Sequence, residues 1–322
     1  MSTSILEIRR LRTYFFTRYG AVKAVDGISF GLRKGESLCL VGESGCGKTA
    51  TALSILRLID SPPGRIVDGE ILYHGEDLLR CSDRRLRQIR GNRIAMIFQD
   101  PQSSLNPVLT VGDQVTEQIQ LHLRLKHQPA MERAVHLMEQ AGIPEAKERM
   151  KDYPHQFSGG MKQRVMIAAA LSCEPEILIA DEPTTALDTT IKAQILDIFR
   201  DLKQKRDMSV LFITHDLGTV AGIADRIIVM YGGRIAEAGT VFDIFDQPQH
   251  PYTHGLLNCL PSISTRRDRL TPIPGMIPSL IDPPEGCIFN PRCQRRLPVC
   301  SQERPKVVVL SGEHLVACHL YS

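Results

Sequence analysis

No apolar run in this sequence is long enough to cross a bilayer: the stretch from Val165 to Ala180 is interrupted by Ser172-Cys173-Glu174-Pro175-Glu176. The opening residues carry Glu7 and several arginines without an apolar segment, so no secretory signal is expected. Charge of one sign is scarce as well. The 39 basic and 36 acidic residues leave a formal net charge of +3, too small to argue for nucleic acid as a partner. Arg84-Arg85-Leu86-Arg87 to Arg90 is a local basic cluster that reads as a solvated helix face. Internal repeats and heptad runs are missing too. What remains is an ordinary globular composition, 43% hydrophobic and 23% charged, with 322 residues giving room for about two domains. Such a chain is expected to stay in the cytosol and to reach a membrane only through a partner.

The apolar patterning alternates between strand and helix periods. Ile5 to Ile8, Tyr14 to Phe16 and Ile28-Phe30-Leu32 fit period two. Arg93 to Phe98, Glu176 to Ala180, Val210 to Thr214 and Arg226 to Met230 are further strand candidates. Val111 to Gly142 turns helical with a break expected near Pro129, and Gln163 to Cys173 and Ile191 to Arg206 are helical. This alternation predicts an α/β fold built on a parallel sheet. The segment from Gln99 to Tyr153 reads as all-helical and predicts a separate lobe. After about Gln249 the prolines at 261, 272, 274, 278, 283, 284 and 291 predict an extended appendage rather than more sheet.

Gly42-Glu43-Ser44-Gly45-Cys46-Gly47-Lys48-Thr49 lies between the apolar run Leu38-Cys39-Leu40-Val41 and the helix-like Ala50 to Ile59. That is GxxxxGK[ST] with a strand before it and a helix after it. Its glycines let backbone N–H groups turn inward around phosphate oxygens, and the following helix start adds donors and a favourable dipole. Lys48 would reach the β- and γ-phosphates, and Thr49 would offer its hydroxyl to Mg²⁺. An ordinary Gly-rich turn would not need all four fixed positions in this context. Ile177-Leu178-Ile179-Ala180-Asp181-Glu182 is an apolar strand ending in two acids. Beside such a loop, Asp181 is placed to hold Mg²⁺ through water, and Glu182 to act on the water that attacks the γ-phosphate. Phe157-Ser158-Gly159-Gly160-Met161 opens the Ala-rich helix, a second phosphate-type helix start, or at its simplest a serine cap.

These residues carry a resemblance. Over residues 5–248 the chain resembles the ATPase subunits of ABC transporters, most specifically through Ser158-Gly159-Gly160 upstream of Asp181. The family's usual Leu-Ser-Gly-Gly-Gln reads Phe157-Ser158-Gly159-Gly160-Met161 here, with the phosphate-facing Ser158 and Gly160 kept. The resemblance implies a P-loop NTPase of the ABC ATPase type: an N-terminal antiparallel β subdomain, a mixed or parallel core sheet, a helical subdomain at about residues 100–160, and an irregular C-terminal extension. The implied domains are an ATPase at 1–248 and the extension at 249–322. ATP would contact Gly42, Ser44, Gly45, Cys46, Gly47, Lys48, Thr49 and Ala50, with Tyr19 stacked on adenine. Gln99 looks like the glutamine that senses Mg²⁺ and the attacking water, so Thr49, Gln99 and Asp181 would share the ion. Glu182 would be the catalytic base and His215 the switch histidine at the γ-phosphate. Thr185-Ala186-Leu187-Asp188 looks like the D-loop, and Ser158, Gly159 and Gly160 would serve the ATP of a partner subunit in a head-to-tail dimer.

Gln99-Asp100-Pro101 to Ser104-Leu105-Asn106-Pro107, Tyr153-Pro154-His155-Gln156 and His250-Pro251-Tyr252-Thr253 narrow the resemblance to the ATPases of oligopeptide, dipeptide and nickel importers, whose C-terminal extension is also similar. That implies a second, different ATPase subunit, two transmembrane permeases and an extracellular or periplasmic solute-binding protein. It places the chain peripherally at the cytoplasmic face of the cell membrane, powering uptake of di- or oligopeptides, with nickel or another small solute as the alternative. An exporter ATPase fits those segments poorly. A soluble ABC ATPase acting on nucleic acid is the lesser alternative, and it would need a longer insert before Ser158 or a second cassette. Cys287, Cys293, Cys300 and Cys318 follow a C-x5-C-x6-C-x17-C spacing. Four thiolates in a Pro-rich segment suit [4Fe–4S] or zinc equally by ligand type, with His314 and His319 as substitute ligands, while by spacing alone free or surface cysteines are an equal alternative to any metal. The resemblance favours a [4Fe–4S] cluster.

Overall fold

The computed structural model describes residues 4–185, 188–206, 208–259 and 272–322. Ala186, Leu187 and Pro261, named above, lie outside the described residues. The chain divides into two compact units, residues 1–80 with 213–322, and residues 81–212.

The first unit begins with β1 (Ser4–Thr17), β2 (Gly20–Arg33) and β3 (Ser37–Val41), then α1 (Lys48–Ile55), β4 (Gly64–Tyr73) and β5 (Glu76–Asp77). Strands β2-β1-β4-β5 form an antiparallel sheet in that order. The short period-two patches of the sequence are therefore parts of two continuous 14-residue strands. Bulges around Arg10, itself at φ 48°, interrupt the alternation and hide that continuity. A buried hydroxyl pair, Thr13 Oγ1 to Ser54 Oγ at 2.7 Å, joins this sheet to α1.

The second unit runs through α2 (Asp83–Ile89), β6 (Ile94–Ile97), α3 (Pro101–Ser104), α4 (Val111–Leu123), α5 (His127–Gln140), α6 (Ala146–Arg149) and α7 (Gly159–Ala170). It continues with β7 (Ile177–Asp181), α8 (Thr189–Arg206) and the start of β8 (Ser209–Thr214). Strand β6 pairs parallel to β7. The expected helix break falls at Arg124, which takes a left-handed φ of 56°, and not at Pro129. Pro129 sits in the first turn of α5, where its missing N–H costs nothing. Helix α2 carries the basic cluster, with Ser82 capping the N–H of Arg85.

The chain re-enters the first unit with α9 (Leu217–Val220), β9 (Arg226–Tyr231), β10 (Arg234–Thr240), α10 (Val241–Asp246) and α11 (Pro251–Asn258). Strand β9 pairs parallel to β3 and antiparallel to β10, so this sheet is mixed. Leu38 to Val41 and Ile227 to Met230 are 0–1% exposed. Each large aliphatic among them contributes about 1.5–3 kcal/mol by burial, which makes β3 a rigid base for the loop that follows it.

The proline-rich extension departs from expectation at its end. Strands β11 (Val308–Ser311) and β12 (His314–Val316) form a hairpin, and β12 pairs with β10 through Glu237–Val316 and Ala238–Leu315. No proline occurs between residues 308 and 316, so the ladder is free to form there. Glu237, fully buried on β10, ties this region down. Its carboxylate accepts the N–H of Gln249 at 2.7 Å, the N–H of His250 at 2.9 Å and bonds Nε2 of His314 at 2.7 Å. Among the described residues no helix is long and apolar enough to cross a membrane.

Candidate functional site

The phosphate-loop candidate lies in the first unit, between β3 and α1. Its backbone needs glycine where φ is positive: Gly42 at 154°, Gly45 at 79° and Gly47 at 104°. A Cβ on Gly42 would collide with the carbonyl of Met230, and one on Gly47 with that of Ala24. Lys48 is buried, and its ammonium donates to the carbonyls of Gly42 at 2.8 Å and Glu43 at 3.0 Å. The amine thus spans the loop and closes it into a ring. Gly47, the N-cap of α1, has no side chain to satisfy the helix's first N–H groups, which stay available to an anion. Ser44 and Gly45 are exposed, and Thr49 and Ala50 half-buried. Burial raises the Cys46 thiol above its ordinary range despite Lys48 beside it.

Tyr19, also in this unit, sits at the β1–β2 hairpin tip, 70% exposed with the Arg18 guanidinium 4.6 Å from its ring centre. An exposed ring is free to stack on a planar ligand. His215 is exposed immediately after β8.

The second unit holds the two acids at the end of β7. Asp181 is 1% exposed and Glu182 9%. Glu182 adopts a left-handed φ of 45°, a strained choice for a non-glycine residue. Gln99 Nε2 donates to Glu182 Oε2 at 3.1 Å, and Thr185 Oγ1 donates to the same oxygen at 2.9 Å. Gln99 and Glu182, each expected at the site from its own motif, are therefore direct partners, and Thr185 is a further one. Asp188 caps α8 by accepting the N–H of Ile191 at 2.9 Å.

Ser158 caps α7 through the N–H of Met161 at 3.3 Å. A Cβ on Gly159 would meet open space, and one on Gly160 would press on Ile191. Arg164, one turn on, donates to the carbonyl of Ala141 at 2.7 Å and to Gln194, fixing α7 between α5 and α8.

The four late cysteines belong to the first unit. Cys287, Cys300 and Cys318 are buried and Cys293 half-buried. Burial pushes the Cys287 thiol up to about 11, with the charges of the other three cysteines adding to the rise. Cys293 and Cys318 are also raised, by burial first. Backbone groups of Phe289, Arg295 and Leu320 bond to Cys287, Cys293 and Cys318, and Leu297 N–H donates to Cys300 Sγ at 3.4 Å. As the side chains stand, no three His, Cys, Asp or Glu among the described residues converge to hold a metal ion. The histidines weighed as substitute ligands are engaged elsewhere: His314 with Glu237, and His319 through Nε2 with the carbonyl of Glu303 at 2.9 Å.

Sequence reasoning passed over the contact that ties this region to the phosphate loop. Arg292 makes a two-pronged ion pair with Glu43, at 2.6 and 3.0 Å, and Tyr252 Oη accepts the Glu43 N–H at 2.8 Å. The only hint was Arg292 standing next to a cysteine.

Comparison with known proteins agrees with this arrangement. The family model described as ABC transporter matches residues 25–185, and that of the oligopeptide/dipeptide transporter C-terminal region matches residues 236–300. The chain is 51% identical to the dipeptide transport ATP-binding protein DppD of Bacillus subtilis (strain 168), covering 98% of this chain and 94% of that protein. It is 49% identical to the oligopeptide transport ATP-binding protein AppD of the same organism, covering 100% and 98%. Among solved structures, the dimeric form of a bacterial ABC transporter cassette superposes with a TM-score of 0.67 at 26% identity, over 73% of this chain and 98% of that one. With a P-loop, a Ser-Gly-Gly helix start and both family regions in one polypeptide, the chain belongs to the ABC transporter ATP-binding proteins and carries the oligopeptide/dipeptide transporter type of C-terminal region.

Proposed function

We propose that this chain binds and hydrolyses ATP as the motor subunit of an importer of di- or oligopeptides. The support is a closed, glycine-built phosphate loop in the first unit and a Gln99–Glu182 contact in the second, in a chain whose relatives are named for dipeptide and oligopeptide transport.

The loop N–H groups and Lys48 bind the triphosphate, and Tyr19 stacks on the base. Thr49, Asp181 and Gln99 would hold Mg²⁺, which would supply positive charge against that developing on the phosphate oxygens. Glu182 takes the proton of the attacking water, oriented through Oε2 by Gln99 and Thr185. His215 contacts the γ-phosphate. Ser158, Gly159 and Gly160 offer the α7 start to the ATP of a second, different ATPase subunit, and Asp188 stands at that junction. The helical part of the second unit passes closure to two permeases, and a solute-binding protein delivers the peptide. This assembly puts the chain on the cytoplasmic face of the membrane. The domain division at about residue 248 follows from the same reading.

The test is reconstitution with the two permeases and partner ATPase in proteoliposomes. Peptide-loaded binding protein is expected to raise ATP turnover several-fold. Stimulation by nickel and not by peptide would move the substrate to the metal class.

For the four cysteines, the support for a thiolate-held centre is chemical: four sulfur donors lie in one short segment, and backbone groups bond to Cys287, Cys293 and Cys318 and the Leu297 N–H to Cys300 Sγ, contacts that would support a charged sulfur once the side chains turn to converge. We infer that Cys287, Cys293, Cys300 and Cys318 hold a [4Fe–4S] cluster that staples the extension together. Anaerobically purified protein is expected to be brown, with about four irons and four sulfides per chain. Colourless protein containing zinc alone would replace the cluster by a zinc site.

A further inference from the structure

Glu43 is the first variable residue of the phosphate loop, and three side chains hold it. Its N–H is accepted by Tyr252 Oη at 2.8 Å, its carbonyl accepts Lys48 Nζ at 3.0 Å, and its carboxylate is gripped by Arg292. Tyr252 comes from α11 and Arg292 from the turn between Cys287 and Cys293, so both fasteners belong to the C-terminal region.

Arg292 is unusually well fixed for an arginine. Its side chain is 4% exposed. Nε donates to the carbonyl of Pro274 at 3.0 Å. Nη1 donates to Glu43 Oε2 at 2.6 Å and Tyr231 Oη at 3.3 Å. Nη2 donates to Glu43 Oε1 at 3.0 Å and the carbonyl of Ile273 at 3.2 Å. A guanidinium has five N–H donors in a rigid planar fork, and here each has an acceptor. Beneath it the rings of Tyr231, Tyr252 and Phe289 pack edge-on or tilted, with centroids 4.6–5.4 Å apart, joining the end of β9, α11 and the extension into one wedge.

The electrostatic consequence bears on phosphate binding. A carboxylate one residue into a loop that receives a polyanion repels it, and the repulsion is strong where water is excluded. Glu43 keeps only 27% of its side chain exposed, so solvent screens it incompletely. The Arg292 fork cancels that charge and holds the carboxylate in one place.

We propose that Arg292 is a positioning residue for nucleotide binding: by neutralising and anchoring Glu43, the C-terminal region sets the affinity of the phosphate loop for ATP. This rests on reading Gly42 to Thr49 as an ATP loop, and it adds a determinant some 249 residues away in sequence. Removing the guanidinium leaves an unpaired negative charge at the loop. Removing the carboxylate as well takes that charge away.

The experiment is a titration of the full-length chain with a fluorescent ATP analogue and Mg²⁺, on the wild type, Arg292→Gln, Glu43→Gln and the double variant. Arg292→Gln is expected to bind about tenfold more weakly, a change of about 1.4 kcal/mol. Glu43→Gln, which leaves the buried guanidinium without its carboxylate beside the loop, is expected to bind several-fold more tightly, and the double variant to stay within threefold of the wild type. A purely structural role for Arg292 would leave the double variant as weak as Arg292→Gln, and that outcome overturns the proposal, as does an Arg292→Gln affinity equal to wild type. Should Arg292→Gln fail to fold, Arg292→Lys reads the same coupling at lower amplitude, because an ammonium cannot make the fork. It is expected to lose about threefold, a loss abolished by adding Glu43→Gln, and an affinity equal to wild type overturns the proposal. Folded wild type that does not bind the analogue would overturn the ATP-loop reading itself and is thereby distinguished.

Discussion

Glu182→Gln is expected to cut ATP turnover by about a thousandfold while ATP binding persists. The size follows from what the residue does: a positioned general base contributes roughly 10²–10⁴ in rate. Glutamine keeps the shape of the side chain and one oxygen for the donors Gln99 and Thr185, which lie 3.1 and 2.9 Å from Glu182 Oε2. It cannot take a proton. The left-handed φ of 45° is equally open to glutamine and glutamate, so the substitution leaves the backbone strain as it was. Loss of turnover would then report the proton transfer rather than a misplaced loop. The check is phosphate release from the assembled transporter, alongside nucleotide binding by the same variant. Turnover within a few-fold of wild type would assign the base elsewhere. A variant that also fails to bind ATP would show that Glu182 supports the fold.

The parts of this site that could be read from sequence are those whose chemistry needs contiguous residues. A phosphate nest must be built from one short run of backbone, so Gly42 to Thr49 and Ser158 to Gly160 show themselves as motifs. The Gln99–Glu182 bond joins residues 83 positions apart, and each was found through its own motif and not through the contact. Arg292 had no such signal. Its role depends on 249 residues of chain returning to the loop, and arginine before cysteine is locally unremarkable. The hairpin of β11 and β12 was obscured for a related reason: its strands are four and three residues long and follow a proline-rich stretch that argued against sheet. In β1 the signal was present but broken, because the bulges around Arg10 shift which face each side chain meets. The break between α4 and α5 was misplaced because proline is the usual cause. Here Arg124 takes the left-handed cap conformation that glycine more often supplies.

Acidification from pH 7.5 to 5 is expected to lower the stability of the first unit by about 2 kcal/mol through one histidine. His250 is 3% exposed and caps α11, its Nδ1 accepting the N–H of Tyr252 at 3.0 Å. Burial, with the charge of His254 in second place, holds its pKa down at about 4, against about 6.5 in an unfolded chain. The geometry agrees, since a protonated Nδ1 could not accept that N–H. Glu237 faces the same segment but takes the backbone N–H of His250 and the ring of His314. Above pH 6.5 the ring is neutral in both states and its contribution is fully present. As pH falls below 6.5 the unfolded chain binds a proton that the folded chain refuses until about 4. Stability is therefore lost across that window, by about 3 kcal/mol when complete. Carboxylates with lowered pKa values, such as Asp26 and Asp243, act below about 4 and leave the window clear. Urea unfolding of the wild type and His250→Asn at pH 7.5 and 5 separates this effect from the rest, because asparagine caps a helix without titrating. The variant should lose about 2 kcal/mol less than the wild type over that interval, and parallel losses would remove His250 as the cause. The helix that His250 caps carries Tyr252, whose hydroxyl holds the N–H of Glu43.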